Sequence, residues 1–204
     1  MGLALWLVPR SSGFSDAVRD EMARLRAANA GVSSGEFGIH ATLLAGLGDR
    51  EISGEALRDV ADEAVKAWKK QHAGELEGGL TVGLKDVTTR GSYFQCILIA
   101  LAQTPAPLAL NTITRRHVDH HFPPPDPPAS SEAYFPHISL LYASLSATEA
   151  QTQIQDMRQQ RIFTDLGKEA ISFKGFPQVT FAAVDVYDCT GKPEDWVKLH
   201  SIPL

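Results

Sequence analysis

Two short segments of this chain carry nearly the same text. Gly38-Ile39-His40-Ala41-Thr42-Leu43-Leu44-Ala45 and Phe135-Pro136-His137-Ile138-Ser139-Leu140-Leu141-Tyr142 both read His, apolar, hydroxyl, Leu, Leu. Their histidines stand 137 − 40 = 97 residues apart in a chain of 204. A repeat spaced at nearly half the chain points to internal duplication, in which two similar units bury a shared core. Residues i and i+2 of a strand face the same side. His40 and Thr42 should therefore share a face, as should His137 and Ser139, with Leu43 and Leu140 turned inward. One such motif would be an incidental strand histidine; two, in matching surroundings, suggest one site built from both.

The pattern around the motifs supports the duplication. Gly2 to Val8 reads as a buried strand closed by Pro9. Phe14, Val18, Met22 and Leu25 recur at helical spacing and predict a helix over 14–29. The first His strand is expected near 37–45. Ser53 offers an N-cap to a helix over 54–71, whose apolar face runs from Leu57 to Trp68. Residues 80–88 and 93–102 read as two strands around a turn at Arg90-Gly91-Ser92, and 107–121 as a helix. The proline run after Phe122 cannot continue a helix or pair in a sheet, so a stiff exposed loop should lead into the second His strand. Ser146 and Glu149 form a capping box for a helix over 147–163. Strands are expected at 168–174 and 178–189, and another from 196 to 200. Each half then runs helix, His strand, helix, two strands. The expected fold is α+β: one bilobal domain over 1–204, two pseudo-symmetric lobes each with an antiparallel sheet and helices, a seam near 102–106, and a cleft between the His strands.

Composition narrows the function. A net charge of −5 argues against a general polyanion-binding surface, while leaving room for a small phosphate ester in a local pocket. No apolar run approaches the ~20 residues that span a bilayer, and the N-terminal apolar stretch lacks a basic flank. A cytosolic or nuclear protein with no membrane partner is expected. Cys96 and Cys189 lie in apolar surroundings and read as buried thiols, a cross-strand disulfide being the alternative.

A cleft holding two imidazoles and two hydroxyls suits proton transfer at phosphorus. Histidine titrates near neutrality, so one ring can act as general base and the other as general acid. Two hydroxyl donors can hold the non-bridging oxygens of a phosphodiester. A strained cyclic phosphate fits such a site because its leaving oxygen stays tethered. No metal and no cofactor is required. His117, His120 and His121, with Asp119, form a rival cluster for a metal, although polar side chains are ordinary at a helix C-terminus. Arg115 and Arg116 read as a solvated helix face, and Trp6 and Phe94 as core aromatics or base-stacking surfaces.

The paired His40-Ala41-Thr42-Leu43 and His137-Ile138-Ser139-Leu140 resemble the motifs of the 2H phosphoesterase superfamily, in particular its fungal and plant 2′,3′-cyclic-nucleotide phosphodiesterases. Ala4-Leu5-Trp6, Tyr93-Phe94-Gln95-Cys96 and the stretch from Pro136 to Tyr142 are similar as well. The resemblance implies hydrolysis of nucleoside 2′,3′-cyclic phosphates to 2′-phosphates, and of ADP-ribose 1″,2″-cyclic phosphate, a by-product of tRNA splicing. It implies His40 and His137 as the acid/base pair, with Thr42, Ser139 and Tyr142 holding substrate. A small cyclic nucleotide would be the partner of a monomeric enzyme with no stable nucleic-acid partner. Tyr142 is the awkward member. It lies five residues after His137, so strict alternation turns it away unless a bulge or strong twist brings it back. A 2H enzyme that processes RNA ends and a non-catalytic nucleotide-binding module are the rival readings.

Overall fold

The structure is a computed structural model that describes residues 2–72, 78–124 and 133–204. Its elements run β1 Leu3–Pro9, α1 Gly13–Ala28, β2 Ala41–Leu44, α2 Gly54–Gln71, β3 Leu80–Thr88, β4 Ile97–Leu101, α3 Pro105–His121, β5 His137–Leu141, α4 Ala147–Gln159, β6 Phe163–Gly167, β7 Ala170–Phe173, β8 Gln178–Asp188 and β9 Val197–Pro203. The fold is α+β, with four helices and a large antiparallel sheet, as the periodicity predicts.

The main sheet has the order β1-β2-β5-β4-β3-β8-β9, and β8 pairs again with β1. Phe181 is the crossing point, opposite Leu80 of β3 on one edge and Pro9 of β1 on the other. The sheet thereby closes on itself, and strands from the two sequence halves interleave. The first half's β4 pairs along the length of β5, and the second half's β8 pairs along the length of β1. What joins the two groups of strands between the histidine motifs is one residue pair, Ala41 opposite Ile138. The two separate sheets expected of two lobes are in this way joined into one. Residues 102–104 are the short connection from β4 into α3, and 105–106 are already its first turn.

Helix signals in the sequence act where they were read. The Ser53 side chain accepts from the Ala56 amide, and both halves of the Ser146–Glu149 capping box are present. Leu57, Val60, Ala61, Ala64, Val65 and Trp68 are buried along α2, and the indole N–H of Trp68 donates to Ala106 O at 2.9 Å, tying α2 to α3. On α3 the buried Asn111 side chain donates to Leu43 O at 2.6 Å, so a helix of the second half steadies the first motif's strand.

Several boundaries differ from expectation, and the first His strand, expected over 37–45, pairs only over Ala41–Leu44. Tyr93–Gln95 forms a 3₁₀ turn, with strand pairing starting only at Ile97. Bonds from Arg90 N to Gln95 O and from Gln95 N to Ser92 O close this loop, leaving Phe94 38% exposed rather than in the core. The helix predicted to reach 163 stops at Gln159, because Phe163–Gly167 pairs with Ala170–Phe173 in a hairpin that the helical pattern conceals. Lys168 and Glu169, read as strand, are the two turn residues of that hairpin. Their φ values of 51° and 56° are those of the turn that matches strand twist. The last strand runs on to Pro203. Pro123 and Pro124 follow α3 as expected; the rest of the proline run lies outside the described residues.

Candidate active site

The single pair Ala41–Ile138 decides which side chains meet. Both residues are fully buried, so their neighbours along each strand face the opposite side. In an antiparallel register this sets His40 across from Ser139 and Thr42 across from His137. Three further contacts lock the strands at this crossing. Tyr134 Oη donates to Thr42 O at 3.1 Å, Ser34 N to Tyr142 O at 2.9 Å, and Ser144 N to Val32 O at 3.0 Å.

Both motif strands also carry a one-residue bulge at the same place. Against β1, partners step from Thr42 to Leu44, so Leu43 is extra; against β4 they step from Ser139 to Leu141, so Leu140 is extra. Each bulge resets the alternation. Ala45 and Tyr142, five residues past their histidines, consequently turn back to the histidine side, and both line one pocket with His40, Thr42 and His137. Tyr142 is 4% exposed; its ring stacks on Phe37 at 3.9 Å, and its hydroxyl lies 3.5 Å from His40 Nε2. The bulge is the physical answer to its odd spacing.

The pocket holds about 270 Å³. Trp6, Phe94, Gln95, Cys189 and Trp196 complete much of its wall. Trp6, 2% exposed, lies flat on His40 with centroids 3.5 Å apart and planes 4° apart, and on Tyr187 at 3.7 Å. Ser139 is buried just behind this wall, its hydroxyl donating to Phe94 O at 3.1 Å. That carbonyl belongs to the 3₁₀ turn, so the departure from strand geometry at 93–95 supplies both the Ser139 partner and an aromatic edge. Trp196 and Gln95 were not legible as site residues. Trp196 follows the short turn Pro193–Asp195, and nothing in its spacing relates it to either motif.

Each imidazole is oriented by a carbonyl two residues upstream. His40 Nδ1 bonds Gly38 O at 2.7 Å and His137 Nδ1 bonds Phe135 O at 2.9 Å. A carbonyl only accepts, so each Nδ1 carries the proton and each Nε2 is the nitrogen left for chemistry. Burial lowers the pKa of His40 from 6.5 to about 4, against the Gly38 bond that raises it; His137 nearby lowers it further. Burial also lowers His137, opposed by the Phe135 bond and aided by Arg90. Burial raises the Tyr142 phenol, which stays a donor, and pushes the Cys189 thiol up to about 12, which keeps it neutral. Both cysteines are buried and unpaired.

The residues of the rival metal cluster do not converge. Asp119 is taken by Arg50 at 2.7 Å. Among the described residues no group of three or more His, Cys, Asp or Glu side chains could hold a metal ion. No helix among the described residues is long and apolar enough to cross a membrane.

Fold and site define a class: a pocket with twin histidine motifs on a large antiparallel sheet. The family of cyclic phosphodiesterase-like proteins matches residues 1–204, and the chain belongs to it. Among solved structures, E. coli LigT in its apo form is similar over 100% of this chain and 96% of its own, at 16% identity and TM-score 0.50. LigT complexed with NADP+ and LigT complexed with ATP each align with TM-score 0.52 at 16% identity, covering 100% of this chain and 97% and 96% of theirs. A structure described as a phosphoesterase aligns at 15% identity and TM-score 0.50. At such identities the likeness is one of fold. No curated protein matches the chain significantly.

Proposed function

We propose that this phosphoesterase opens nucleoside 2′,3′-cyclic phosphates to 2′-phosphates, and ADP-ribose 1″,2″-cyclic phosphate in the same way. The whole chain acts as one catalytic domain with His40 and His137 as the acid/base pair. The observation that carries this reading is the matched commitment of both Nδ1 atoms to backbone carbonyls, which leaves two Nε2 atoms for one pocket. The complexes of LigT with NADP+ and ATP lend support to a small nucleotide as ligand.

His40 is the general base. Its depressed pKa keeps Nε2 unprotonated at neutral pH, ready to take a proton from water. The water oxygen attacks phosphorus in line, the P–O3′ bond breaks, and Nε2–H of a protonated His137 gives its proton to O3′. His137 suits this part because it is the less buried of the two, and a bound phosphate raises its affinity for the second proton. The Thr42 hydroxyl and the Tyr142 phenol donate to the non-bridging oxygens as charge develops there. Ser139 holds Phe94 O and thereby the aromatic edge of the pocket, adding a phosphate contact only when its hydroxyl turns.

Incubation with adenosine 2′,3′-cyclic phosphate in the presence of EDTA, with the product identified by phosphorus NMR, tests the reading. The 2′-monophosphate is expected. No turnover, a 3′-monophosphate, or activity abolished by EDTA would each refute it.

A further inference from the structure

Where the two motif strands meet, side chains take over from the sheet. β2 meets β5 at the single pair Ala41–Ile138, and against β1 its ladder skips Leu43. A bulge leaves its extra residue outside the ladder, and a buried carbonyl left without a partner costs free energy. Side chains from the second half of the chain take two consecutive carbonyls here. Tyr134 Oη donates to Thr42 O at 3.1 Å, and Asn111 Nδ2 donates to Leu43 O at 2.6 Å. The residue whose peptide they hold, Thr42, lines the catalytic pocket. The second motif is held differently: β5 pairs with β4 from His137 to Leu141, so backbone bonds fix Ser139.

Tyr134 is anchored at its backbone. Its carbonyl accepts from Gln103 Nε2 at 2.9 Å, and Pro136 O, two residues on, accepts from Leu101 N at 2.9 Å. In the sheet β5 lies between β4 and β2. Backbone tied beside β4 therefore sends its phenol across to β2. The ring is half-buried and packs on the main core. Burial raises the phenol above its ordinary range, so it stays a donor at neutral pH. An aromatic ring with few rotatable bonds, on fixed backbone, is a strut of set length.

We infer that Tyr134 is a positioning residue for the reaction, which acts through Thr42. Its bond fixes the peptide plane that follows Thr42, and with it the direction in which that side chain leaves the strand. Asn111 fixes the next plane, so the Thr42 hydroxyl is aimed by the second half of the chain. Donors to charge developing at phosphorus act through preorganisation, and a misplacement of ~1 Å can cost up to ~100-fold in rate. Tyr134 itself is not part of the pocket wall. This role rests on the cyclic-phosphate reading for the reaction it serves, yet not for the aim of the hydroxyl.

A double-mutant cycle with Thr42→Ala tests it. Tyr134→Phe removes one oxygen and keeps the ring, and thermal melting checks its fold. Alone, it should lower kcat/KM on adenosine 2′,3′-cyclic phosphate about 3–10-fold, the scale of one neutral hydrogen bond. In the Thr42→Ala background the same change should alter kcat/KM by less than about twofold, because the hydroxyl it aims is gone. Equal losses in both backgrounds overturn the role, since a merely structural bond would weaken both enzymes alike. No loss in either background overturns it too. The same cycle, read on calorimetric binding of adenosine 2′-monophosphate, needs no turnover. If no cyclic phosphate is turned over, coupling in binding upholds the positioning role and refutes the proposed activity instead. Additive or absent binding losses would then refute both.

Discussion

His40 immediately precedes β2 and His137 opens β5, equivalent places beside two bulges, and their surroundings differ in nearly every other respect. His40 is 4% exposed, flat against Trp6, with the side-chain-free Gly38 supplying its carbonyl. His137 is half-buried; Phe135 supplies its carbonyl and also packs on its ring at 5.5 Å, with the Arg90 guanidinium 5.0 Å above the Phe135 ring. Thr42 reaches the pocket, whereas Ser139 is tied to Phe94 O. Ala45 stands where the second motif has Tyr142. The duplicated frame fixes where proton-transfer groups stand, and the differentiated packing decides which proton state each one holds. On the proposed mechanism, symmetry supplies the geometry and unequal burial separates the base from the acid.

The most forceful way to break this comparison is to remove each histidine and vary the leaving group. His40→Ala and His137→Ala should each lower kcat on a cyclic phosphate by ~10²–10⁴-fold. The two should separate on a phosphodiester with a p-nitrophenolate leaving group, which departs without protonation. There His137→Ala should recover most of its activity, while His40→Ala should remain impaired because water still needs its base. Recovery in His40→Ala instead would exchange the two roles. A pH profile alone cannot assign them, since a base and an acid with swapped pKa values give the same bell.

Much of this contrast could be read from residue order, and some could not. The repeated His-x-hydroxyl-Leu-Leu text located both motif strands, and helical periodicity with Ser53 and Ser146 caps located α2 and the start of α4. Sequence order does not reveal which strands pair. The closure of the sheet by β8 on β1 depends on contacts some 180 residues apart, and β6 was hidden because only Phe163 of its five residues is buried, so it shows no apolar–polar alternation. Spacing alone leaves Tyr142 ambiguous, because a bulge is a property of pairing with β4 rather than of the strand's own residues. Trp196 had no local signal at all. It reaches the pocket through the turn between β8 and β9.

A second, smaller effect concerns stability. His40 has a folded pKa of about 4 against 6.5 for an ordinary imidazole, so between those values the unfolded chain binds more protons than the folded one. Stability is therefore fully present above pH 6.5 and is lost as pH falls toward 4, by about 3 kcal/mol from this group. His137 adds a loss of the same sign. Urea unfolding at pH 7 and at pH 4.5, for wild type and His40→Gln, measures it. The variant's amide cannot titrate, so its stability should fall less between the two pH values. Parallel losses in both proteins would show that His40 is not held neutral by burial.

The hydroxyls give the mildest and most discriminating contrast. Thr42 Oγ1 has no hydrogen-bond partner among the described residues and faces the pocket, whereas Ser139 Oγ donates to Phe94 O at 3.1 Å inside the protein. Removing each by alanine should thus affect different quantities. Thr42→Ala takes away a donor offered to substrate, so kcat/KM should drop by about tenfold, near 1.4 kcal/mol, with the melting temperature unchanged. Ser139→Ala removes the partner of the part-buried Phe94 carbonyl, so it should cost about 1 kcal/mol of folding stability. It should also loosen the Phe94 edge, which raises KM while leaving the chemical step in single-turnover kinetics nearly intact. If Ser139→Ala slows the chemical step as much as Thr42→Ala does, both hydroxyls contact phosphate in the working enzyme. The differentiation of the two motifs would then be confined to the histidines and to Tyr142.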